Sequence, residues 1–441
     1  MKITQFIKGK DNILKRGLFS TIIKVFGALA NYTLSYLIAK KFGAEGNGVF
    51  ALFMTYTIIL STFFYLGLDM FLVKEVSILM KESRFTDVKH LYRKIIKSYL
   101  IPVSFFLVIV GYFLFLYYEQ PLIIFVSIGL VFNVFIDVNS AMFRGMKKSE
   151  LYSFFMQFSK YFITVVFFLL PILNDTKEEM LLIYLISLLI NALISFFVLQ
   201  KNFNKIVSKN LATSLKKYAL IEIFKTSKEF FFSSILIITL LWIDFILIDV
   251  FLEEEEAGIY SVALKLANLV TFGYTAFNAF LAPRISEVYS EGKIDKLQGI
   301  ITQNFILVFP MLIVPLLIIV FANQFLLNFF GSEFESGWVV LLLLAFAQFV
   351  NGIFGPVSLL LQMTNNQKIF QNILIVTFVV KLVCAFIFVD LWRINGIALA
   401  SFIALCLWTI LGSYYVYKKV GIYSWFTIKD LKTQWARFSN E

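Results

Sequence analysis

Histidine, cysteine, proline and charge are all scarce in this 441-residue chain: one His, two Cys, seven Pro, and 15% Asp, Glu, Lys and Arg together. Soluble domains carry roughly 25% charged residues, so a water-facing fold of this length is excluded first. The lone histidine, His90, lies in a basic connection, and no Asp-x-Asp metal pair occurs, which argues against a membrane enzyme. The longest outer connection, 323–337, is also too short to build a separate active-site domain. Cys384 and Cys406 both fall inside apolar runs and read as packing residues, so a secreted disulfide framework is not indicated. No G-x-x-x-x-G-K-[ST] loop is present to cradle a nucleotide phosphate, so the chain does not drive itself with ATP. No small-residue cleavage site follows the first apolar run, which is also too long for a leader; it is expected to stay as a first span.

What is abundant is apolar surface, 60% of all residues. It comes in runs of about 20 residues, each long enough at 1.5 Å per residue to cross a roughly 30 Å hydrocarbon layer. Twelve spans are expected, near 18–39, 48–68, 98–118, 121–141, 151–171, 180–200, 229–250, 259–281, 300–322, 338–362, 369–389 and 396–417. Short polar connections favour helices over a barrel of alternating strands. The fold class is an all-α polytopic membrane protein. Bends are expected at Pro102 in span 3, at Pro310 and Pro315 in span 9, and at Gly352, Gly355 and Pro356 in span 10.

Most of the 39 Lys and Arg lie on the side that holds both termini, which the positive-inside rule places in the cytoplasm. The net charge of +11 is therefore a topology signal scattered over short loops, and no nucleic-acid partner is expected. Gly48-Val49-Phe50 recurs as Gly258-Ile259-Tyr260, and Lys74 as Arg284, close to half the chain length later. The expected domains are a six-helix half over 1–200, a basic connector over 201–228, a second six-helix half over 229–417 and an interfacial helix over 418–441. Six spans per half make the repeat parallel, with its axis along the membrane normal and the substrate expected between the halves. In the connector, Val207, Leu211, Leu215 and Tyr218 fit an amphipathic helix resting on membrane lipids; Trp425, Ile428, Leu431, Trp435 and Phe438 do the same in the tail.

Four lysines interrupt the spans: Lys24, Lys160, Lys265 and Lys381. Each costs roughly 2.5–3.5 kcal/mol at a helix centre if it faces lipid. A shared aqueous cavity with partners removes that cost, and a lysine-lined cavity suits an anion. Secondary polar candidates follow at helical spacing: Asn31 near Lys24, Gln157 near Lys160 and Asn268 near Lys265. Helix packing accounts equally for the Ser20–Gly27–Asn31–Ser35 stripe, snorkelling for Lys24, and a local ion pair for Asp137 with Arg144. Asp244 in span 7 and Lys381 in span 11 lie at similar depth and form a candidate coupling pair, or else a static bridge. No metal cluster is expected.

Further stretches carry a family resemblance. They are Ala257-Gly258-Ile259-Tyr260 with Lys265 and the Ala282-Pro283-Arg284 exit; Phe330-Gly331-Ser332-Glu333-Phe334 with Gly337-Trp338; and Gln348-Phe349-Val350-Asn351 with Gly355-Pro356, Leu361-Gln362-Met363-Thr364-Asn365 and Asn395-Gly396-Ile397-Ala398-Leu399-Ala400. Together these resemble Wzx-type oligosaccharide flippases of the multidrug/oligosaccharidyl-lipid/polysaccharide (MOP) exporter superfamily, with weaker echoes in lipid II flippases. The resemblance implies a MATE-like fold and a bacterial cytoplasmic (inner) membrane location. It implies movement of undecaprenyl-diphosphate-linked oligosaccharide to the outer leaflet for O-antigen, capsule or exopolysaccharide assembly. A polysaccharide polymerase and a chain-length regulator are the implied partners. No cofactor is implied beyond coupling to H+ or Na+, for which Asp244 matches an acidic position of the family. The rival readings are a cation-coupled drug exporter of the same superfamily, a polymerase or ligase, and a scaffold without transport.

Overall fold

The computed structural model describes residues 2–118, 120–170, 176–207 and 219–425, and among them no strand occurs. The chain divides into two compact units, one of Met1–Phe42 with Val49–Trp242, the other of Gly43–Gly48 with Ile243–Glu441.

The first unit draws on α1 (Lys2–Tyr65), α2 (Leu68–Lys81), α3 (Phe85–Ile95), α4 (Ile101–Tyr118), α5 (Pro121–Gly145), α6 (Ser149–Ser153), α7 (Lys160–Phe168), α8 (Lys177–Val207) and the start of α9 (Leu220–Phe251). α5 is its centre, packed on α2, α4 and α8. One buried cluster joins Leu72, Val138 and Phe143 to Phe203; another gathers Leu34, Phe53, Ile136 and Tyr184. The opposite faces are as apolar as these cores. Phe105, Phe106, Phe113 and Tyr117 of α4 are exposed, as a helix in hydrocarbon requires.

The second unit holds the end of α9, then α10 (Glu254–Ser290), α11 (Ile294–Asn328), α12 (Trp338–Ile353), α13 (Val357–Met363) and α14 (Gln367–Val420). α10 packs on α11 and α12, and α12 on α14. The acids at Glu254, Glu255 and Glu256 form the first turn of α10 rather than a loop. There they complement the helix dipole, and Glu253 and Glu256 close a capping box.

Nine helices among the described residues are long and apolar enough to cross a membrane by length and composition, and the chain is a multi-pass membrane protein. Two of the nine are double length and broken. α1 leaves helical geometry at Gly43 (φ 68°), and α14 does so at Trp392 and at Arg393 (φ 49°). α10, which carries Lys265 and Asn268, is not among the nine. The expected break in span 10 falls at Gly355 (φ 76°) and Pro356, between α12 and α13. α11 contains Pro310 and Pro315, yet its non-helical residue is Ala322. Ahead of Pro102 the chain makes a π-helical turn, Ile96–Leu100.

The last helix ends at Gly421 (φ 81°), a left-handed cap, and residues 421–425 fold back instead of continuing as a helix. Gln298 clasps this return with two bonds to Tyr423, accepting from its backbone N–H at 2.7 Å and donating to its carbonyl at 3.1 Å. The amphipathic positions expected at 211, 215 and 218 and those expected from 428 onward lie outside the described residues.

Gly48 and Gly258, the repeated glycines of the sequence, meet in the second unit. A Cβ on Gly48 would strike the Glu254 carbonyl oxygen, and one on Gly258 the Ala44 carbonyl oxygen. Only glycine lets these two backbones cross so closely.

Candidate functional site

The first unit encloses a cavity of about 340 Å³ whose wall is unusually polar for a lipid-embedded fold. Asp69 comes from α2, Asn133, Asp137 and Arg144 from α5, Tyr152 from α6, and Lys160 from the start of α7. Ser61, Thr62 and Tyr65 of α1 and Ser234 of α9 add hydroxyls. Two cations and two carboxylates thus share one wall. Asp137 interacts electrostatically with both Lys160 and Asp69, and the Arg144 guanidinium lies over the Tyr152 ring at 5.4 Å. Two wall atoms are buried without a hydrogen-bond partner among the described residues, the acceptor Asp69 Oδ1 and the donor Asn133 Nδ2. A burial of that kind costs about 1–3 kcal/mol per group unless something binds there.

The second unit holds a buried ion pair. Lys381 Nζ lies 2.9 Å from Asp244 Oδ1 and donates to Oδ2 at 3.0 Å. Tyr260 donates to the same Oδ2 at 2.7 Å and Ser401 at 2.8 Å. The four side chains come from α9, α10 and the two arms of α14, so one carboxylate ties several helices together.

The four lysines therefore have different settings. Lys160 lines the first-unit cavity, while Lys381 is bound to Asp244 inside the second unit. Lys24 on α1 is half-buried and feels the like charge of Arg144. Lys265 on α10 is half-buried; on the same helix Asn268 accepts from Gln348 at 2.8 Å. Gln157 falls in a π-helical segment, Phe154–Ser159, whose backbone presses on Gly27, one turn before Asn31. Ser20 meets Ser153 at 2.6 Å, so the small-residue stripe of the first helix packs helices together at these positions. Sequence reasoning missed Asp69, which follows the left-handed break at Leu66–Gly67 and reads as loop. It also missed Tyr260 and Ser401 as partners of Asp244.

The described helices form lipid-compatible bundles, each built around buried charge. Residues 13–289 match the family described as "Polysaccharide biosynthesis protein", and the chain belongs to that family. The resemblance to Wzx-type flippases agrees with this membership. A curated relative, the "Probable low-salt glycan biosynthesis flippase Agl15" of Haloferax volcanii, is 25% identical over 236 residues, 50% of this chain. The match spans 49% of that relative, about half its length. Among solved structures, an inward-facing multidrug resistance MATE family transporter of the MOP superfamily superimposes with a TM-score of 0.70 at 13% identity, covering 92% of this chain and 98% of that one. A MOP superfamily transporter from Pyrococcus furiosus, described as having a binding pocket of reverse polarity, gives 0.65 at 14% identity, covering 93% and 95%. At such identities the likeness establishes a MATE-like fold and nothing finer.

Proposed function

We propose that the chain is a flippase that carries polyprenyl-diphosphate-linked oligosaccharide from the cytoplasmic to the outer leaflet by alternating access, for surface polysaccharide assembly. The observation that carries this reading is the first-unit cavity, where Arg144, Lys160, Asn133 and a set of hydroxyls share the wall with Asp69 and Asp137. A sugar-phosphate headgroup is what a bilayer rejects, and it needs cationic donors for phosphate together with amides, hydroxyls and carboxylates for sugar hydroxyls. Family membership and the flippase named among its relatives support the same substrate class. The polyprenyl tail can stay in lipid throughout. A polymerase and a chain-length regulator would then take over the glycan outside.

Cells lacking the chain test the proposal. Lipid-linked oligosaccharide should accumulate where an impermeant lectin or glycosidase added to spheroplasts cannot reach it, and re-expression should restore access. Unchanged access in the deleted cells would overturn the reading. The drug-exporter alternative draws on the fold and on the carboxylates Asp69 and Asp137, which could hold an organic cation. It predicts that the same deletion sensitises cells to ethidium without altering lipid-linked glycan.

A further inference from the structure

Several polar groups on the wall of the first-unit cavity already have partners inside the protein. Ser61 and Thr62 both donate to the Ile58 carbonyl at 2.9 Å, and Asp137 interacts with Lys160. Asn133 and Asp69 differ. Asn133 is only 6% exposed, and its Nδ2 has no hydrogen-bond partner among the described residues. Asp69 Oδ1 is buried and likewise without one there. The wall thus holds an unused donor and an unused acceptor. The Asn133 amide turns about a broad, roughly two-fold terminal torsion, so its donor can be presented to the cavity. Val73, Met156, Ile237 and Ile238 add an apolar lining to the same space. A ligand group that satisfies all three features needs a donor, a separate acceptor and an apolar end. A sugar hydroxyl has donor and acceptor on one oxygen and no apolar end. An ammonium has no acceptor, and an ionised phosphate has no donor. An acetamido group has all three: an N–H, a carbonyl and a methyl.

We propose that Asp69 and Asn133 form an acetamido subsite, in which Asp69 accepts from the amide N–H, Asn133 donates to the amide carbonyl and the methyl packs on the apolar lining. The lipid-linked headgroup then carries an N-acetylated amino sugar. Arg144 and Lys160 line the same cavity, whose 340 Å³ is near the lower end of ligand-pocket volumes, so the sugar recognised is the one next to the diphosphate. This inference rests on the flippase reading and names a sugar class within it.

The test uses the full-length protein purified in detergent and three probes: citronellyl diphosphate bearing a single N-acetylglucosamine, glucose or glucosamine. Isothermal titration gives Kd. The wild type should bind the N-acetylglucosamine probe about tenfold or more tightly than the other two, since each of those leaves at least one wall group unpaired. Asn133→Leu, similar in size but without the donor, should lose most of that preference. Asn133→Asp, which sets a carboxylate against the amide carbonyl, should reverse it in favour of glucosamine. A packing role for Asn133 would instead weaken all three probes together and leave their ratios alone. The proposal is overturned if the wild type binds the N-acetylglucosamine and glucose probes equally, if it prefers glucosamine, or if Asn133→Leu keeps the wild-type ratios. Should Asn133→Leu not survive purification, Asp69→Leu is read by the same criteria. Equal binding of all three probes removes the acetamido subsite and leaves the flippase reading standing. Binding of none overturns this proposal as well, and unchanged glycan access in deleted cells overturns the flippase reading itself.

Discussion

Alanine at Gly48 or Gly258 should destabilise the protein strongly, and the reason is the identity of the obstructing atoms. The Cβ of Gly48→Ala would overlap the Glu254 carbonyl oxygen, and that of Gly258→Ala the Ala44 carbonyl oxygen. Neither obstacle is a side chain that can change rotamer. Both belong to helical backbone, so relief requires the two helices to separate. Overpacking of a well-packed site typically costs about 1–3 kcal/mol, and a backbone obstacle places these substitutions at about the upper end. A control lies in the same unit. Gly299 of α11 has nothing within 4 Å of its would-be Cβ, and alanine there should stabilise by about 0.5–1 kcal/mol through helix propensity alone. Thermal melting in detergent, with membrane abundance measured in parallel, should give Gly299→Ala at or above wild type and both other variants well below it. The double variant Gly48→Ala/Gly258→Ala should cost less than the two single effects added, because one displacement of the helices serves both side chains. If Gly48→Ala and Gly258→Ala melted together with Gly299→Ala, the close crossing would be wrong.

Three further outcomes follow from the same structure. Lys160→Arg should support more glycan export than Lys160→Gln at equal protein level, since Lys160 contributes charge to the cavity; equal export by both would remove it from the site. Gly67 has a φ of 73°, and a Cβ there would meet the Ser227 carbonyl and the Phe231 backbone, so Gly67→Ala should lower the melting temperature by more than a surface substitution, which moves stability by only about 0.5 kcal/mol. Cysteines placed at positions 210 and 435 should react with an impermeant maleimide only after cells are opened, and labelling of intact cells would reverse the topology read from the basic loops.

The transmembrane rods were legible because hydrocarbon leaves few choices: a long uncharged run that is not helical would expose unpaired backbone to lipid. The break at Gly355–Pro356 was legible from its residues, whereas Pro310 and Pro315 sit inside α11 without leaving helical geometry. The break at Trp392 and Arg393 falls in the gap between the spans expected at 369–389 and 396–417, whereas the left-handed pair Leu66–Gly67 breaks the chain inside the span expected at 48–68 and was not anticipated. The Asp244–Lys381 contact could be anticipated, because two opposite charges at one depth in lipid stabilise each other more than any alternative there. Tyr260 and Ser401 could not. A hydroxyl in a helix can always donate to the carbonyl one turn back, as Thr55 and Thr164 do, so spacing alone never says which hydroxyl is shared between helices.

Counting lysines at depth suggested a strongly positive interior, and the structure changes what that count means. Lys381 is held by Asp244, and Lys160 and Arg144 share their wall with Asp137 and Asp69. An anion entering the first-unit cavity would therefore not find bare positive charge; it would compete with two carboxylates for the same donors. That competition weakens binding, and in a carrier weakness has a use, because a site that gripped a diphosphate through uncompensated cations would release it slowly. The surplus donor Asn133 Nδ2 and the hydroxyls of Tyr65, Tyr152, Thr62 and Ser61 do not depend on net charge. On the flippase proposal they would suit a headgroup rich in hydroxyl and phosphate oxygens better than a simple inorganic anion, which has too few oxygens to reach them all. Selectivity in such a site comes from the number and placement of hydrogen bonds, and the balanced charges keep the bound state shallow enough to leave.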